Sequence, residues 1–231
     1  VIPMFNEELV LHEFYPRLKK EAESWGKSYE LLFVDDGSTD NSFELMCEWK
    51  KKDSNLRIVK FTRNFGQQAA VLAGFRQSRG DIIVQIDSDL QNPPEEINRL
   101  LDAFTDEVDL VVTIPRKRRD SSLRVIGSKV LHYFAQKLFG NRFTLNLSSF
   151  RAMRRSVIEK IEQCQDRSRY MAVLMSWMAV PTVHVEVDHD LRKIGQTKYG
   201  ILPLLRLTWD LITGYSNFPL LVVTYLGLFG A

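Results

Sequence analysis

The 231-residue chain is poor in the side chains that usually hold small proteins together or bind soft metals: it has two cysteines and four histidines. Two thiols, Cys47 and Cys164, cannot build a disulfide framework, which places the globular part in a reducing compartment. They are not at zinc-ligand spacing either, so a structural zinc site is excluded. No internal repeat is present, and no linker is long enough to divide independent domains. No signal peptide is visible, and the chain does not open on Met. Val1-Ile2-Pro3 reads as the end of a strand already under way, so the natural protein is expected to start several residues earlier. Basic runs occur without stacking aromatics or a recognition-helix pattern, so no nucleic-acid partner is expected.

What is present is a globular composition: 45% of residues are apolar and 26% charged, which excludes a disordered or low-complexity chain. The net charge of +2 hides an uneven distribution. Residues 1–110 carry 13 Lys/Arg against 21 Asp/Glu, a net of −8, and residues 111–231 carry 18 against 8, a net of +10. Such asymmetry suggests two jobs, with an anionic partner on the C-terminal side. Leu211–Ala231 contains no Asp, Glu, Lys or Arg, and the run from Phe218 onward is mostly apolar. A membrane-crossing helix needs about 20 apolar residues. Residues 218–231 are therefore expected to begin a transmembrane segment cut short, with an interfacial segment as the alternative, and residues 199–217 to form a juxtamembrane amphipathic helix.

Residues 1–113 alternate strand-like and helix-like segments. Strands are expected at 1–3, 30–34, 56–61, 81–86 and 108–114, with helices at 8–25, 42–51, 66–77 and 93–104. Asp40 is the expected cap of the second helix. This repetition indicates an α/β fold with a mostly parallel sheet and helices on both faces. Ligands of such sheets bind beyond the carboxyl ends of the strands, where Asp35, Asp36, Asp87 and Asp89 fall. Further on, residues 121–139 read as a helix, 183–187 as a strand, 192–200 as a polar loop and 203–215 as an amphipathic helix.

The sharpest motif is Asp87-Ser88-Asp89-Leu90-Gln91. Two carboxylates at i and i+2 past a buried strand, followed by an amide oxygen, suit a hard cation, Mg2+ or Mn2+, that also takes substrate phosphates. A capped strand end would show the same pattern. Its companions are Pro3-Met4-Phe5-Asn6-Glu7-Glu8 after the first strand and Asp35-Asp36-Gly37-Ser38-Thr39-Asp40 after the second. Arg63-Asn64-Phe65-Gly66 follows the third. In the basic half, Arg116 follows the fifth strand, Arg124 and Ser128 share a helix face, and Arg192 and Lys198 lie in one loop. Arginine suits bidentate phosphate contact. His184 and Glu186, with Asp188, would share one strand face and leave His189 on the other, which does not gather a metal cage.

Together these motifs resemble the family 2 glycosyltransferases, which have the GT-A fold, over essentially the whole chain. They are most similar to the branch that charges a polyprenyl phosphate with one sugar: dolichyl-phosphate mannose synthases, bactoprenol glucosyltransferases and aminoarabinose transferases. The resemblance implies a GT-A domain over residues 1–198, split into a nucleotide-sugar half (1–113) and an acceptor half (114–198). It implies that Pro3, Asn6, Glu7, Asn64, Asp87, Ser88 and one of Asp35 and Asp36 line the nucleotide sugar. Phe5 stands where many members have Tyr. Asp87, Asp89 and Gln91 are the implied metal ligands, and Arg116, Arg124, Ser128, Arg192 and Lys198 the acceptor-phosphate residues. Asp89, Arg124 and Arg192 are the implied catalytic residues.

The implied activity is inverting transfer of one sugar from a UDP- or GDP-linked donor to undecaprenyl or dolichyl phosphate. The implied setting is a membrane-attached, cytoplasm-facing enzyme, bacterial and at the inner membrane, with a homo-oligomer as a further expectation. The pattern departs in one place: many relatives carry an Asp where this chain has Leu145 or Ser149. A carboxylate often assigned as base is thus missing. An acceptor phosphate has its second pKa near about 6, so it is already largely ionised and positioning can suffice. Two rival readings are transfer to a glycan or protein, and a catalytically impaired membrane scaffold.

Overall fold

The computed structural model describes residues 1–116, 148–164, 171–188, 220, 223–225 and 227–228. The chain divides into two compact units. The first comprises Val1–Arg118, Leu147–Gln163 and Ala179–Gly195, and the second Arg119–Asn146, Cys164–Met178 and Gln196–Ala231.

The first unit alternates strand and helix as the sequence pattern requires. Its elements begin β1 (Ile2–Met4), α1 (Glu8–Ser24), β2 (Leu31–Asp35), α2 (Ser42–Lys50), β3 (Leu56–Lys60), α3 (Gln67–Gln77) and β4 (Ile82–Gln85). A 3-10 turn (Pro94–Glu96) then leads into α4 (Ile97–Asp102) and β5 (Leu110–Pro115), where one helix over 93–104 was expected. Pro94 at the start of that turn needs no N–H partner, which suits a helix beginning. The rest of the unit is β6 (Arg151–Arg154), α5 (Arg155–Gln163) and β7 (Thr182–Val187). The sequence pattern predicts β7 but neither β6 nor α5.

Strands β1, β2 and β3 form a parallel sheet in that order, and β4, β6, β5 and β7 form a second. Strand β6 runs antiparallel to both β4 and β5, while β7 is parallel to β5. The nitrogen of Val1 donates to the Val84 carbonyl (2.6 Å), and Ile86 N donates back to the Val1 carbonyl (3.2 Å). Strand β1 therefore lies beside β4 and the two sheets continue each other. The expected mostly parallel sheet holds, with β6 as its antiparallel exception.

All residues of β1 and β2 are buried, because helices cover both faces and the strands have no solvent side. The core joins Phe14 and Leu18 of α1 to Phe33 of β2, with Met46 and Leu56 beyond and Phe150 at the start of β6. Phe14 and Phe33 meet edge to face with ring centroids 6.4 Å apart. Burial of each such ring contributes about 1.5–3 kcal/mol. At the edge of this core Tyr15 stacks on Trp49 of α2 (4.4 Å). Its hydroxyl donates to the buried Asp53 (2.7 Å), which also receives Asn55 N (2.9 Å) and pairs with Lys19 (3.1 Å). Burial pushes the Asp53 carboxyl up, but the Tyr15 hydroxyl and the Lys19 ammonium win and hold it below the usual carboxylate range.

The second unit contains helix α6 (Met171–Met178), of which Met171, Leu174 and Met175 are buried. The expected helices at 121–139 and 199–217 and the loop at 192–200 lie outside the described residues. Residues 220, 223–225 and 227–228 are helical, with Leu220, Val223, Tyr225 and Leu228 exposed. Among the described residues no helix is long and apolar enough to cross a membrane.

Two outcomes follow for stability. Gly37 has a left-handed φ of +72°, and a Cβ there would stand 2.5–2.8 Å from the backbone of Arg63 and Asn64. Gly37→Ala should lower unfolding free energy by at least about 2 kcal/mol in urea melts, from backbone strain and overpacking together. Asp53→Asn should destabilise at neutral pH. A carboxyl held down in the folded state stabilises above the unfolded pKa of about 3.9 and loses this as pH falls through the folded value. The gap between parent and variant melting temperatures should therefore close below about pH 4.

Candidate active site

The carboxyl ends of β1, β2, β3 and β4 place the acidic motifs along one edge. Past β1 the chain turns at Asn6, whose φ of 54° is left-handed, a conformation Asn tolerates better than most residues. This segment is stitched to the one after β2. Asn6 N donates to Ser38 Oγ (3.0 Å) and Thr39 N to Asn6 Oδ1 (2.8 Å). Glu7 N donates to Ser42 Oγ (2.9 Å). Asn41, not the expected Asp40, holds the N-cap position of α2; from one residue earlier Asp40 Oδ1 receives Ser42 N (3.0 Å) and Oδ2 receives Glu8 N (3.2 Å). One carboxylate thus serves the starts of both α1 and α2, where backbone N–H groups lack helical partners.

The sequence left Asp35 and Asp36 equivalent, and the structure separates them. Asp36 Oδ1 receives Phe65 N (2.7 Å) and Oδ2 receives Gly66 N (2.9 Å), so both oxygens hold the β3–α3 loop. Burial, with Asp35 adjacent, pushes the Asp36 carboxyl above its usual range against the pull of those two amides. Asp35 is fully buried at the end of β2; its Oδ1 receives Ser38 N (2.9 Å), and its Oδ2 has no hydrogen-bond partner. An unpartnered buried carboxylate oxygen is costly, and at a ligand cleft it marks where a donor can be received.

Past β4, Asp87 and Asp89 flank the buried Ser88. Asp89 Oδ1 receives Gln91 N (3.1 Å), closing a turn. Between them Leu90 is buried and has a left-handed φ of 60°, uncommon for a bulky residue and typical of strain held at functional sites. Asp87 Oδ1 receives Gln67 Nε2 (2.8 Å) and Oδ2 receives Ser149 Oγ (2.6 Å). Behind it, buried Arg151 donates through Nε to buried Gln85 (2.9 Å). Burial pushes the Asp87 carboxyl up and the Asp89 charge adds to this, against Ser149, Gln67 and Arg151. The turn that follows is tied to α1 by a fork: Arg17 Nε and Nη2 donate to the two oxygens of Glu95 (2.9 and 2.8 Å).

Pro3, Asn6, Glu7, Asp35, Asp36, Asn64, Asp87, Ser88, Asp89 and Gln91 thus all stand at or just past the carboxyl ends of β1–β4. Arg116 follows β5, half exposed, and donates to Asp188 after β7 (3.1 Å). Arg124, Ser128, Arg192 and Lys198 lie outside the described residues, as does Leu145. His184 is exposed on β7, and among the described residues no three His, Cys, Asp or Glu side chains gather to hold a metal. The donor set at Asp87, Asp89 and Gln91 is oxygen only and incomplete as a cage. That fits a hard divalent cation that keeps waters and completes its shell from phosphate oxygens. The sequence reading missed Gln67, Arg151 and the donor role of Ser149. Only their contacts with Asp87 and Gln85 single them out, and those arise between distant segments.

Removing the Asp36 carboxylate should release the Phe65 and Gly66 amides. Hydrogen bonds to a charged group are worth about 1.5–3 kcal/mol each. Asp36→Ala should therefore lower thermal stability and speed amide exchange at Phe65 and Gly66, whereas Asp35→Ala should do neither to the same extent.

Similarity to known proteins gives the family and the fold. Residues 1–162 match the model of glycosyl transferase family 2. Over 228 residues the chain is 37% identical to an undecaprenyl-phosphate 4-deoxy-4-formamido-L-arabinose transferase of Salmonella paratyphi B, covering 98% of this chain and 70% of that protein. In fold it is similar to a mannosyltransferase from Pyrobaculum calidifontis in complex with GDP-Man and Mn2+, with a TM-score of 0.61 at 18% identity over 89% of this chain and 59% of that one. It is similar also to glucosyl-3-phosphoglycerate synthase from Mycobacterium tuberculosis in complex with Mn2+ and UDP-glucose, with a TM-score of 0.59 at 18% identity over 93% and 77% of the two chains. A mostly parallel sheet, carboxylates along its carboxyl edge and a family match over the first 162 residues lead to one conclusion: the chain belongs to glycosyl transferase family 2 and is a glycosyltransferase with a GT-A-like α/β fold.

Proposed function

We propose that this glycosyltransferase moves one sugar, with inversion, from a nucleotide diphosphate sugar to polyprenyl phosphate. The observation that carries the reading is the 37% identity, over 98% of the chain, to proteins named for transfer to undecaprenyl phosphate. The charge division supports it: a −8 half bears the carboxylate edge, and a +10 half suits a lipid phosphate and an anionic membrane surface. The reading places the enzyme at a membrane with its catalytic domain facing the cytoplasm.

On the donor side, Asp35 keeps an unpartnered oxygen for a nucleoside N–H or O–H, while Asp36 holds the loop that faces it. Pro3, Asn6, Glu7, Asn64 and Ser88 border the same cleft. Asp89, Gln91 and Asp87 would hold Mg2+ or Mn2+, which supplies charge neutralisation for the departing diphosphate. On the acceptor side, Arg116, Arg124, Ser128, Arg192 and Lys198 would grip the lipid phosphate, with Arg124 and Arg192 also assigned to catalysis. Arg116 would exchange its exposed pairing with Asp188 for that phosphate. An exposed ion pair is worth at most about 1 kcal/mol, so the exchange costs little.

The acceptor oxygen attacks the anomeric carbon from the face opposite the leaving diphosphate, forming the new C–O bond as the old one breaks. No protein base is required. Leu145 carries no carboxylate, and the Ser149 hydroxyl donates to Asp87, so neither of the two positions supplies a base. The phosphate supplies an oxygen already ionised above about pH 6.

Lipid-linked product formed from a UDP- or GDP-sugar with short-chain polyprenyl phosphate is the direct test. Asp89→Ala should cut it at least about a hundredfold, the loss of several kcal/mol of charge stabilisation. The pH profile checks the missing base. With a phosphate nucleophile, kcat/KM for the acceptor should fall about tenfold per unit below pH 6. Transfer to a soluble glycan or protein instead, with no product on lipid phosphate, would overturn the reading.

A further inference from the structure

Asp87 stands where three segments distant in sequence meet: the end of β4, the first residue of α3 and the approach to β6. Gln67 Nε2 reaches one of its oxygens at 2.8 Å and Ser149 Oγ the other at 2.6 Å. The terminal torsion of an aspartate is broad, so a carboxylate held by one oxygen still rotates about its own axis. Held at both, it has one plane. A carboxylate at position 149 would face Asp87 at hydrogen-bonding distance and repel it. A glycine would leave Asp87 Oδ2 without this donor. A serine hydroxyl donates, and the carboxylate must accept. Behind the pair, the buried contact of Arg151 with Gln85 (2.9 Å) keeps a positive charge on the β6 side of Asp87.

We propose that Ser149 and Gln67 are a two-sided clamp of positioning residues, which fix the plane of the Asp87 carboxylate for the metal-bound nucleotide of the donor. This rests on the donor-side reading above and not on the identity of the acceptor. The clamp acts through Asp87 and touches no reacting atom. It should therefore govern how tightly nucleotide and metal are held together, more than how fast the bond breaks. The two sides are unequal. Ser149 is part-buried and its hydrogen bond short, whereas Gln67 is exposed and competes with water.

The test measures Mn2+ affinity of the full chain in the presence of UDP and, separately, GDP, by the electron paramagnetic resonance signal of free Mn2+. Melting temperature and donor KM against kcat are followed alongside. Ser149→Ala should weaken Mn2+–nucleotide binding about tenfold, the scale of one lost charge-assisted hydrogen bond, mostly as a higher donor KM. Ser149→Thr, which keeps the hydroxyl, should return to within about threefold of the parent, and Ser149→Asp should bind worst. Gln67→Ala, at an exposed helix start that tolerates alanine, should lose about threefold with melting temperature unchanged. Parent-like binding by both Ser149→Ala and Gln67→Ala overturns the clamp and leaves the donor-side reading intact. Equal losses in the Thr and Ala variants at position 149 also overturn it, because the hydroxyl is then not what matters. A parent chain that binds Mn2+ with neither nucleotide overturns the donor-side reading and the clamp with it.

Discussion

Carboxylates crowded along one sheet edge repel one another and lose hydration, and the structure depends on giving each a donor. Asp36 takes two backbone amides from the β3–α3 loop, Asp40 takes the first amides of α1 and α2, and Asp89 takes the amide of Gln91. Asp87 takes side-chain donors from α3 and from the approach to β6. Each hydrogen bond offsets part of a desolvation cost, and each also pins a loop. The loops around the cleft are therefore ordered by the same charges that would later face a ligand.

This arrangement divides labour among residues that look alike in sequence. Asp36 is saturated by backbone amides and works as a fastener. Its neighbour Asp35 is fully buried yet keeps one oxygen without a hydrogen-bond partner, the oxygen that the proposed function gives to the nucleotide. The same contrast separates Asp87, held from both sides, from Asp89, which closes its own turn. Gly37 belongs to this design: only a residue without Cβ lets the β2 loop approach the Arg63–Asn64 backbone closely enough for Asp36 to reach Phe65 and Gly66.

Much of the fold was legible because the helical period and the short apolar runs ending in Asp or Asn are local signals. Strands β1 to β5 and β7, with helices α1 to α3, fall within a few residues of the sequence reading. Strand β6 was not legible. Arg151-Ala-Met-Arg154 has two arginines in four residues, and it forms a strand only because β4 and β5 present unpaired edges on either side of it. Its Arg151 is buried, against the usual preference of arginine, because Gln85 and the Asp87 charge supply partners there.

For the candidate site, spacing alone identified which carboxylates gather, since each follows a strand and all parallel strands deliver their carboxyl ends to the same edge. Spacing could not say which of them remains available, because the donors come from elsewhere: Phe65 and Gly66 for Asp36, Gln67 and Ser149 for Asp87. The amino-acid order by itself determined the family, the alternation of elements and the opposite charges of the two halves, all of which are written in local composition and motif. Tertiary structure alone decided the partner of each carboxylate, the insertion of β6 and the difference between Asp35 and Asp36. A hydrogen bond depends on angstroms between segments that can lie 62 residues apart or more, and sequence distance carries no such measure.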